Sequence, residues 1–368
     1  MKKILFYQWY SFMNPGIEKA FKQLEIQYDI LYYQQTDWEE DAIFEEKIEK
    51  QIQDNVYDAV FSVNFAPVIS KVCQHRGIRY ISWVYDSPMH IRNIEVMKNS
   101  CNEIYMFDWG QVQEYKKLGV NMEHLPLAVD SEIFNLPMND EIIKKYSAQI
   151  SLVGKMYTSP LSTETKKLLN DMISSQRDVY NDCFIPELLT DELLQKINAE
   201  YAKAGLDFYI EKRELEYMML CETTSRERTV ILSLLSKHFD THLYTTEKPG
   251  IDNLKVHGPV DYYKQMPYIF KLSDINLNIS LKSIRTGIPL RCVDVLGCGG
   301  FLLSNYQEEL VQYLEVGKDC EVYGSFEEMY EKAAFYIKHE ELRKQIARNG
   351  FMKAQEIFTF SNRIEQMI

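Results

Sequence analysis

Short apolar runs alternate with longer amphipathic ones through the first 147 residues of the chain. Lys3–Trp9 (KILFYQW), Tyr28–Tyr33 (YDILYY), Tyr57–Val63 (YDAVFSV), Arg79–Tyr85 (RYISWVY), Glu103–Phe107 (EIYMF) and Met122–Leu127 (MEHLPL) read as strands. Between the first four, the spacing turns helical. Pro15–Leu24 is one such segment, and Glu39–Gln53 is another, with Ile43, Phe44, Ile48 and Ile52 on one face. A third runs from Pro67 to His75 and ends at Gly77. Strands separated by helical segments of this length predict right-handed βαβ units and a parallel sheet.

A second alternating series follows, with strands at Gln149–Val153, Thr241–Tyr244, Lys255–His257, Ile275–Ile279 and Phe301–Ser304. Between the first two lies a Leu-, Glu- and Lys-rich helical stretch from Thr163 to His238, with breaks expected at Pro186 and Gly205. It is too long for one crossover helix and predicts a helical insertion beside the cleft. Glu340 to Ile368 reads as two helices separated near Thr359. Two parallel α/β domains in tandem place a cleft between them, facing the carboxyl ends of both sheets.

Composition narrows the class. The 368 residues are 46% hydrophobic and 26% charged, which excludes a disordered chain and a small disulfide-stapled module. The net charge is −13, divided −7 and −6 at residue 147, so neither half is basic. Nucleic acid and an anionic membrane are therefore excluded as main partners. Seven cysteines without a CxxC pair fit reduced thiols, and no stretch reaches the ~20 apolar residues of a membrane span. The expected location is the cytoplasm.

Chemistry concentrates in residues 285–304, RTGIPLRCVDVLGCGGFLLS. Gly287 and Pro289 let a backbone loop approach a ligand, and the helix that follows points free N–H groups at an anion. Asp294, one turn in, is placed to accept hydrogen bonds from paired hydroxyls such as a ribose diol; a plain crossover with an exposed Asp and Arg reads equally well. No GxGxxG turn, GxxxxGK[ST] loop or GxSxG elbow is present. The seven histidines offer no metal-ligand spacing beyond His238–His242, which straddles a helix-to-strand transition, so no metal is expected.

The segment NLNISLKSIRTGIPLRCVDVLGCGGFLLSNYQEEL from Asn276, with GKDCEVYGSFEE and LRKQIARNGFMKAQEIFTFSNR after it, resembles the CgeB/YkvP-like glycosyltransferases of the GT-B superfamily. IRYISWVYDSP and HLPLAVDSEIF are similar to that family's N-terminal domain, and the second also resembles the P-x-G-V-D-x-x-x-F hinge of GT-B sugar transferases. The resemblance implies a GT-B fold. Its parts would be an N-terminal Rossmann-like acceptor domain (1–146), a C-terminal Rossmann-like donor domain (147–355) with a helical insertion at about 163–238, and a C-terminal helix (356–368) crossing back.

The implied activity is sugar transfer from a nucleotide sugar, a UDP-sugar first, to an unknown acceptor nucleophile. Asp294 falls where the superfamily carries a ribose-gripping Glu. Thr286 falls where retaining relatives carry the first Glu of an E-x7-E pair, so the stereochemical outcome does not carry over. Without a metal, cations and helix N-termini must hold the leaving diphosphate. Lys282, Arg285 and Arg291 are candidates, with Lys155 beside a Gly154 turn that admits the diphosphate. Asp86, at the end of a strand, is the candidate acceptor base and His90 the alternative; Trp9, Tyr10 and Asn14 are candidate acceptor-pocket residues. A sugar-nucleotide epimerase and a non-catalytic sugar-nucleotide binder remain alternatives, and a dehydrogenase is disfavoured by the missing GxGxxG.

Overall fold

The computed structural model describes residues 3–158, 190–203 and 209–368. The first domain alternates β1 (Lys3–Gln8), α1 (Asn14–Gln23), β2 (Gln27–Tyr32), α2 (Ala42–Asp54), β3 (Ala59–Val63), α3 (Pro67–Arg76) and β4 (Arg79–Val84). It continues through β5 (Asn102–Met106), α4 (Trp109–Lys117) and β6 (Met122–His124). The six strands pair in parallel in the order β2-β1-β3-β4-β5-β6. Central strands are apolar on both faces because helices cover both sides: all five residues of β3 are buried. Strand β6 stops three residues short of the expected Leu127, close before Pro126, whose ring nitrogen cannot donate to a ladder.

After α5 (Asp140–Tyr146), the second sheet begins with β7 (Ala148–Val153). Helices α6 (Asp191–Lys203) and α7 (Lys212–Leu235) occupy the described part of the expected helical stretch; the breaks expected at Pro186 and Gly205 lie outside the described residues. The chain continues through β8 (Thr241–Tyr244), β9 (Lys255–His257), α8 (Met266–Leu272), β10 (Ser273–Asn278), α9 (Leu290–Gly297), β11 (Leu302–Asn305), α10 (Glu308–Tyr313) and β12 (Glu321–Tyr323). The second sheet is also parallel and six-stranded, in the order β12-β11-β10-β7-β8-β9.

Helices α11 (Phe326–Lys338) and α12 (Glu340–Ile357) close this domain. The last helix, α13 (Phe360–Met367), starts at an N-cap Thr359 and returns to the first domain. There Phe360, Ile364 and Met367 join the core built on β1, β3 and β4.

Strand order reverses between β1 and β3 in the first sheet and between β7 and β10 in the second. Crevices at the carboxyl ends of such strand pairs are where open α/β sheets bind ligands. These two crevices position everything that follows.

Candidate functional site

In the second domain, β7 ends at Val153 and the chain turns at Gly154, with φ 148°. A Cβ there would lie 2.3 Å from Arg291 Nη2, and L side chains rarely adopt this φ, so glycine suits the turn that the guanidinium lies against. Arg291 stands in the first turn of α9 and donates to Asn278 Oδ1, at the end of β10, at 3.1 Å. Beside it, Arg228 of α7 is 1% exposed and donates to the carbonyls of Lys155 and Ile279. Those carbonyls lie just past β7 and β10, so Arg228 staples the two sides of the crevice together. Its Nε–H is buried and meets no acceptor among the described residues.

Burial, reinforced by neighbouring Arg291, lowers the pKa of Arg228 to about 10; burial lowers that of Arg291 as well. Among the described residues neither guanidinium forms an ion pair with a carboxylate. Two clustered cations held by neutral oxygens attract an anion, and the Gly154 turn brings backbone within its reach. Lys155 is exposed at this turn. Glu247 pins the loop beyond it, accepting N–H groups from Met156 and Thr158 and the Thr158 hydroxyl at 2.6 Å. Tyr157 in that loop has φ 58° and lays its ring 4.9 Å from the Arg228 guanidinium.

Asp294 is on the same helix as Arg291 but is not exposed: it is 2% accessible and accepts the Tyr262 hydroxyl at 2.7 Å. Burial pushes its pKa up to about 7, against the opposing pull of Tyr262 and Arg291. Tyr262 in turn stacks on Phe12 of the first domain, with centroids 4.6 Å apart. In the unfolded chain this carboxyl titrates near 3.9, so between the two values the folded protein holds the extra proton and stability falls as pH rises. Asp294→Asn removes the buried charge. Calorimetric melting is expected to rise for the variant at pH 8 and to move far less at pH 5; an equal gain at both would contradict this.

The other expected cations go elsewhere. Lys282 is buried with its ammonium 3.2 Å from Glu227, which already balances its charge. Arg285 lies 3.4 Å from both Glu114 and Glu216 and lines an interdomain cavity of about 270 Å³.

Thr286 and Gly287 sit at the domain contact. Asp108, the fully buried N-cap of α4, accepts the N–H groups of Arg285 and Thr286 at 2.7 and 3.1 Å, and its own helix's Gly110 N–H at 3.1 Å. Thr286 Oγ1 accepts Gly110 N–H at 2.8 Å and shares its proton between Asp108 and Glu309. Glu309 also accepts Trp109 N–H at 2.7 Å and lies 2.6 Å from His124 Nε2. At Gly287 a Cβ would lie 2.8 Å from Asp108 Cα, so the two backbones touch.

On the first domain, Asp86 follows β4 and takes a hydrogen bond from Asn64 Nδ2 at 2.6 Å. Its carboxylate stays exposed yet has protein on most sides, as at the floor of a cleft. Burial raises its pKa; Asn64, His90 and Lys155 of the other domain pull it down. His90 packs edge-on to Tyr217 at 4.9 Å, and burial and Arg213 lower its pKa. Trp9 donates its indole N–H to Val63 O at 2.9 Å, bridging the ends of β1 and β3. Asn14 donates to Trp9 O, and Tyr10 is exposed.

The structure thus brings Gly154, Lys155 and Arg291 together, with Lys155 close enough to Asp86 to influence its charge. Arg228, Asn64, Asp108 and Glu309 are not among the sequence candidates. Arg228 had a readable signal: it occupies a core position in the Thr224, Arg228, Ile231, Leu235 stripe of α7, where a leucine is the ordinary choice.

Comparison with known proteins agrees with this geometry. Residues 224–368 match the glycosyl transferase-like family, so the C-terminal part of the chain is similar to a glycosyl transferase-like domain. No curated relative matches the sequence. Among solved structures, sucrose-phosphate synthase from Thermosynechococcus elongatus superposes with TM-score 0.60 at 8% identity, covering 100% of this chain and 97% of that one. A glycosyltransferase from Rickettsia africae gives 0.57 at 10% identity, covering 99% and 96%. Anabaena Alr3699/HepE in complex with UDP and glucose gives 0.54 at 11% identity, covering 100% and 99%. The fold is GT-B: two Rossmann-like domains facing a cleft.

Among the described residues no helix is long and apolar enough to cross a membrane, and no group of three His, Cys, Asp or Glu side chains is placed to hold a metal ion.

Proposed function

We propose that this protein is a CgeB-like glycosyltransferase that moves a sugar from a UDP-sugar to an acceptor hydroxyl. The carrying observation is the Arg228–Arg291 pair at the β7/β10 crevice, without a carboxylate counter-ion among the described residues; Arg228 donates to the Lys155 carbonyl, and the Lys155 charge lowers the pKa of Asp86 on the other domain. In this reading residues 1–146 hold the acceptor, residues 147–355 hold the donor, and the helix at 356–368 ties the second domain to the first. A UDP-sugar is favoured because a GT-B neighbour of full-length coverage is described in complex with UDP-glucose. Six described cysteines are free thiols, in keeping with a cytoplasmic location.

The acceptor O–H would give its proton to Asp86 as its oxygen bonds to the anomeric carbon. The bond from that carbon to the diphosphate breaks, and the released charge falls on Arg228, Arg291 and Lys155. These cations do the work a divalent metal does elsewhere, so the reaction needs none. The raised Asp86 pKa brings the base closer to working pH. Asp294, released from Tyr262, would accept a ribose hydroxyl.

Binding tests the reading directly. UDP at 100 times its Kd should add roughly 2.7 kcal/mol to stability and raise Tm, with GDP, dTDP and ADP weaker and NAD inert. Arg291→Gln removes a charge-assisted contact worth roughly 1.5–3 kcal/mol, so UDP affinity by calorimetry should fall about 10- to 150-fold. An unchanged Kd, or a response to NAD alone, would overturn the donor assignment.

A further inference from the structure

Asn64 holds an unusual place. It follows β3 with φ 61°, the left-handed region that asparagine tolerates better than most side chains, and it is 7% exposed. Its backbone is fixed on both sides: its N–H donates to Trp83 O at 2.9 Å, and its carbonyl accepts Ser62 Oγ at 2.6 Å. The side chain is then directed wholly at the end of β4. Oδ1 accepts the N–H groups of Tyr85 at 3.0 Å and Asp86 at 3.3 Å, and Nδ2 donates to Asp86 Oδ2 at 2.6 Å.

Two backbone donors on Oδ1 settle which end of the amide is oxygen, so Nδ2 must face the carboxylate. Neither an aspartate nor a histidine can accept twice there and donate once. Asp86 Oδ1, by contrast, makes no hydrogen bond among the described residues, and the residue is exposed.

We infer that Asn64 is the positioning residue of Asp86: it fixes the carboxylate through Oδ2 and leaves Oδ1 as the atom that meets the acceptor hydroxyl. This rests on the reading of Asp86 as the base. The proton leaves the acceptor oxygen for Oδ1, while the Asn64 N–H on Oδ2 favours the ionised form that can take it. The charged and titratable groups that also interact with Asp86 are Tyr85 and His90 on its own segment, Lys155 from the β7 turn, and Tyr217 from α7. Backbone strain stored beside a reactive group is a feature of functional sites.

The test uses the full chain and two variants. Asn64→Gly keeps the backbone conformation and removes the amide; Asn64→Asp keeps the shape and places a second carboxylate against Asp86. The ¹³C carboxyl titration of Asp86, assigned by its disappearance in Asp86→Asn, is read in each, beside Tm, UDP affinity and the pH profile of UDP-glucose turnover. The Asp86 midpoint should rise by about one pH unit in Asn64→Gly and further in Asn64→Asp. The acid limb of turnover should follow it. We expect kcat to drop at least tenfold, with UDP affinity within twofold of wild type.

An Asp86 titration unmoved in both variants overturns the positioning role, whatever turnover does. If instead the titration moves but Asp86→Asn turns over at the wild-type rate, the clamp stands and the assignment of Asp86 as base falls.

Discussion

Asp108→Ala should cost about 3–5 kcal/mol of stability, the range found when one partner is deleted from a buried charged network. The Asp108 carboxylate is fully buried and takes five hydrogen bonds, from the N–H groups of Gly110, Arg285 and Thr286, the Thr286 hydroxyl and the Gln111 amide. Two of those N–H groups belong to the loop of the other domain, are half-buried and meet no other acceptor among the described residues. Each bond to a charged acceptor is worth roughly 1.5–3 kcal/mol, and an orphaned buried donor carries its full desolvation penalty. Against a total of about 5–15 kcal/mol for a folded domain, that is a large share.

Because the bonds cross between domains, the damage should appear first as separation. Small-angle scattering is expected to report a larger radius of gyration at temperatures where each sheet is still folded. Urea unfolding measures the stability loss. Asp108→Asn keeps one accepting oxygen and should lose about half as much. A loss under ~1 kcal/mol for the alanine variant would mean that solvent replaces the carboxylate and that the contact is not sealed.

Asp86→Asn carries the largest expected effect on rate. General-base assistance contributes about 10²–10⁴-fold, or roughly 3–5 kcal/mol of barrier. An asparagine keeps the size of the side chain and can still accept from Asn64 Nδ2 but cannot take the acceptor's proton. Asp86 is exposed, so melting temperature should change little, and the cations proposed to hold the donor lie on the other domain, so UDP affinity should stay within a few-fold. Turnover of UDP-glucose, with an acceptor or with water, measures the loss. A variant as fast as wild type would pass the role to His90.

The strand series is legible from sequence because its signal is local. Thr241–Tyr244 and Lys255–His257 are bounded by the same residues in the structure as in the hydropathy pattern, and the C-terminal helices part at Thr359 as expected. Strand β12 is not legible: three residues, Glu-Val-Tyr, carry too little pattern, and neighbour β11 makes the strand. Gly154 and Arg291 could be placed because a turn and a helix start have sequence signatures. Asn64 and Asp108 could not, since each acts through partners about 22 and 177 positions away along the chain. Arg285 illustrates the same limit. Its loop is readable, but its side chain answers to Glu114 and Glu216 on two separate helices.

The contact between the start of α4 and the 285–287 loop bears on how such enzymes can be recombined. A hybrid that joins this first domain to a foreign second domain would ordinarily be cut near residue 147, where the chain passes from one sheet to the next. That cut separates Asp108 from Thr286 and His124 from Glu309, although the two pairs form one structural unit. Where the incoming loop lacks a hydroxyl at 286 or a glycine at 287, the graft would leave Asp108 facing a misfitted surface. The exchangeable module is therefore not a stretch of contiguous sequence. It is a domain together with the loop and the Glu309 side chain that grip its neighbour, and a successful graft would have to transplant them as a set.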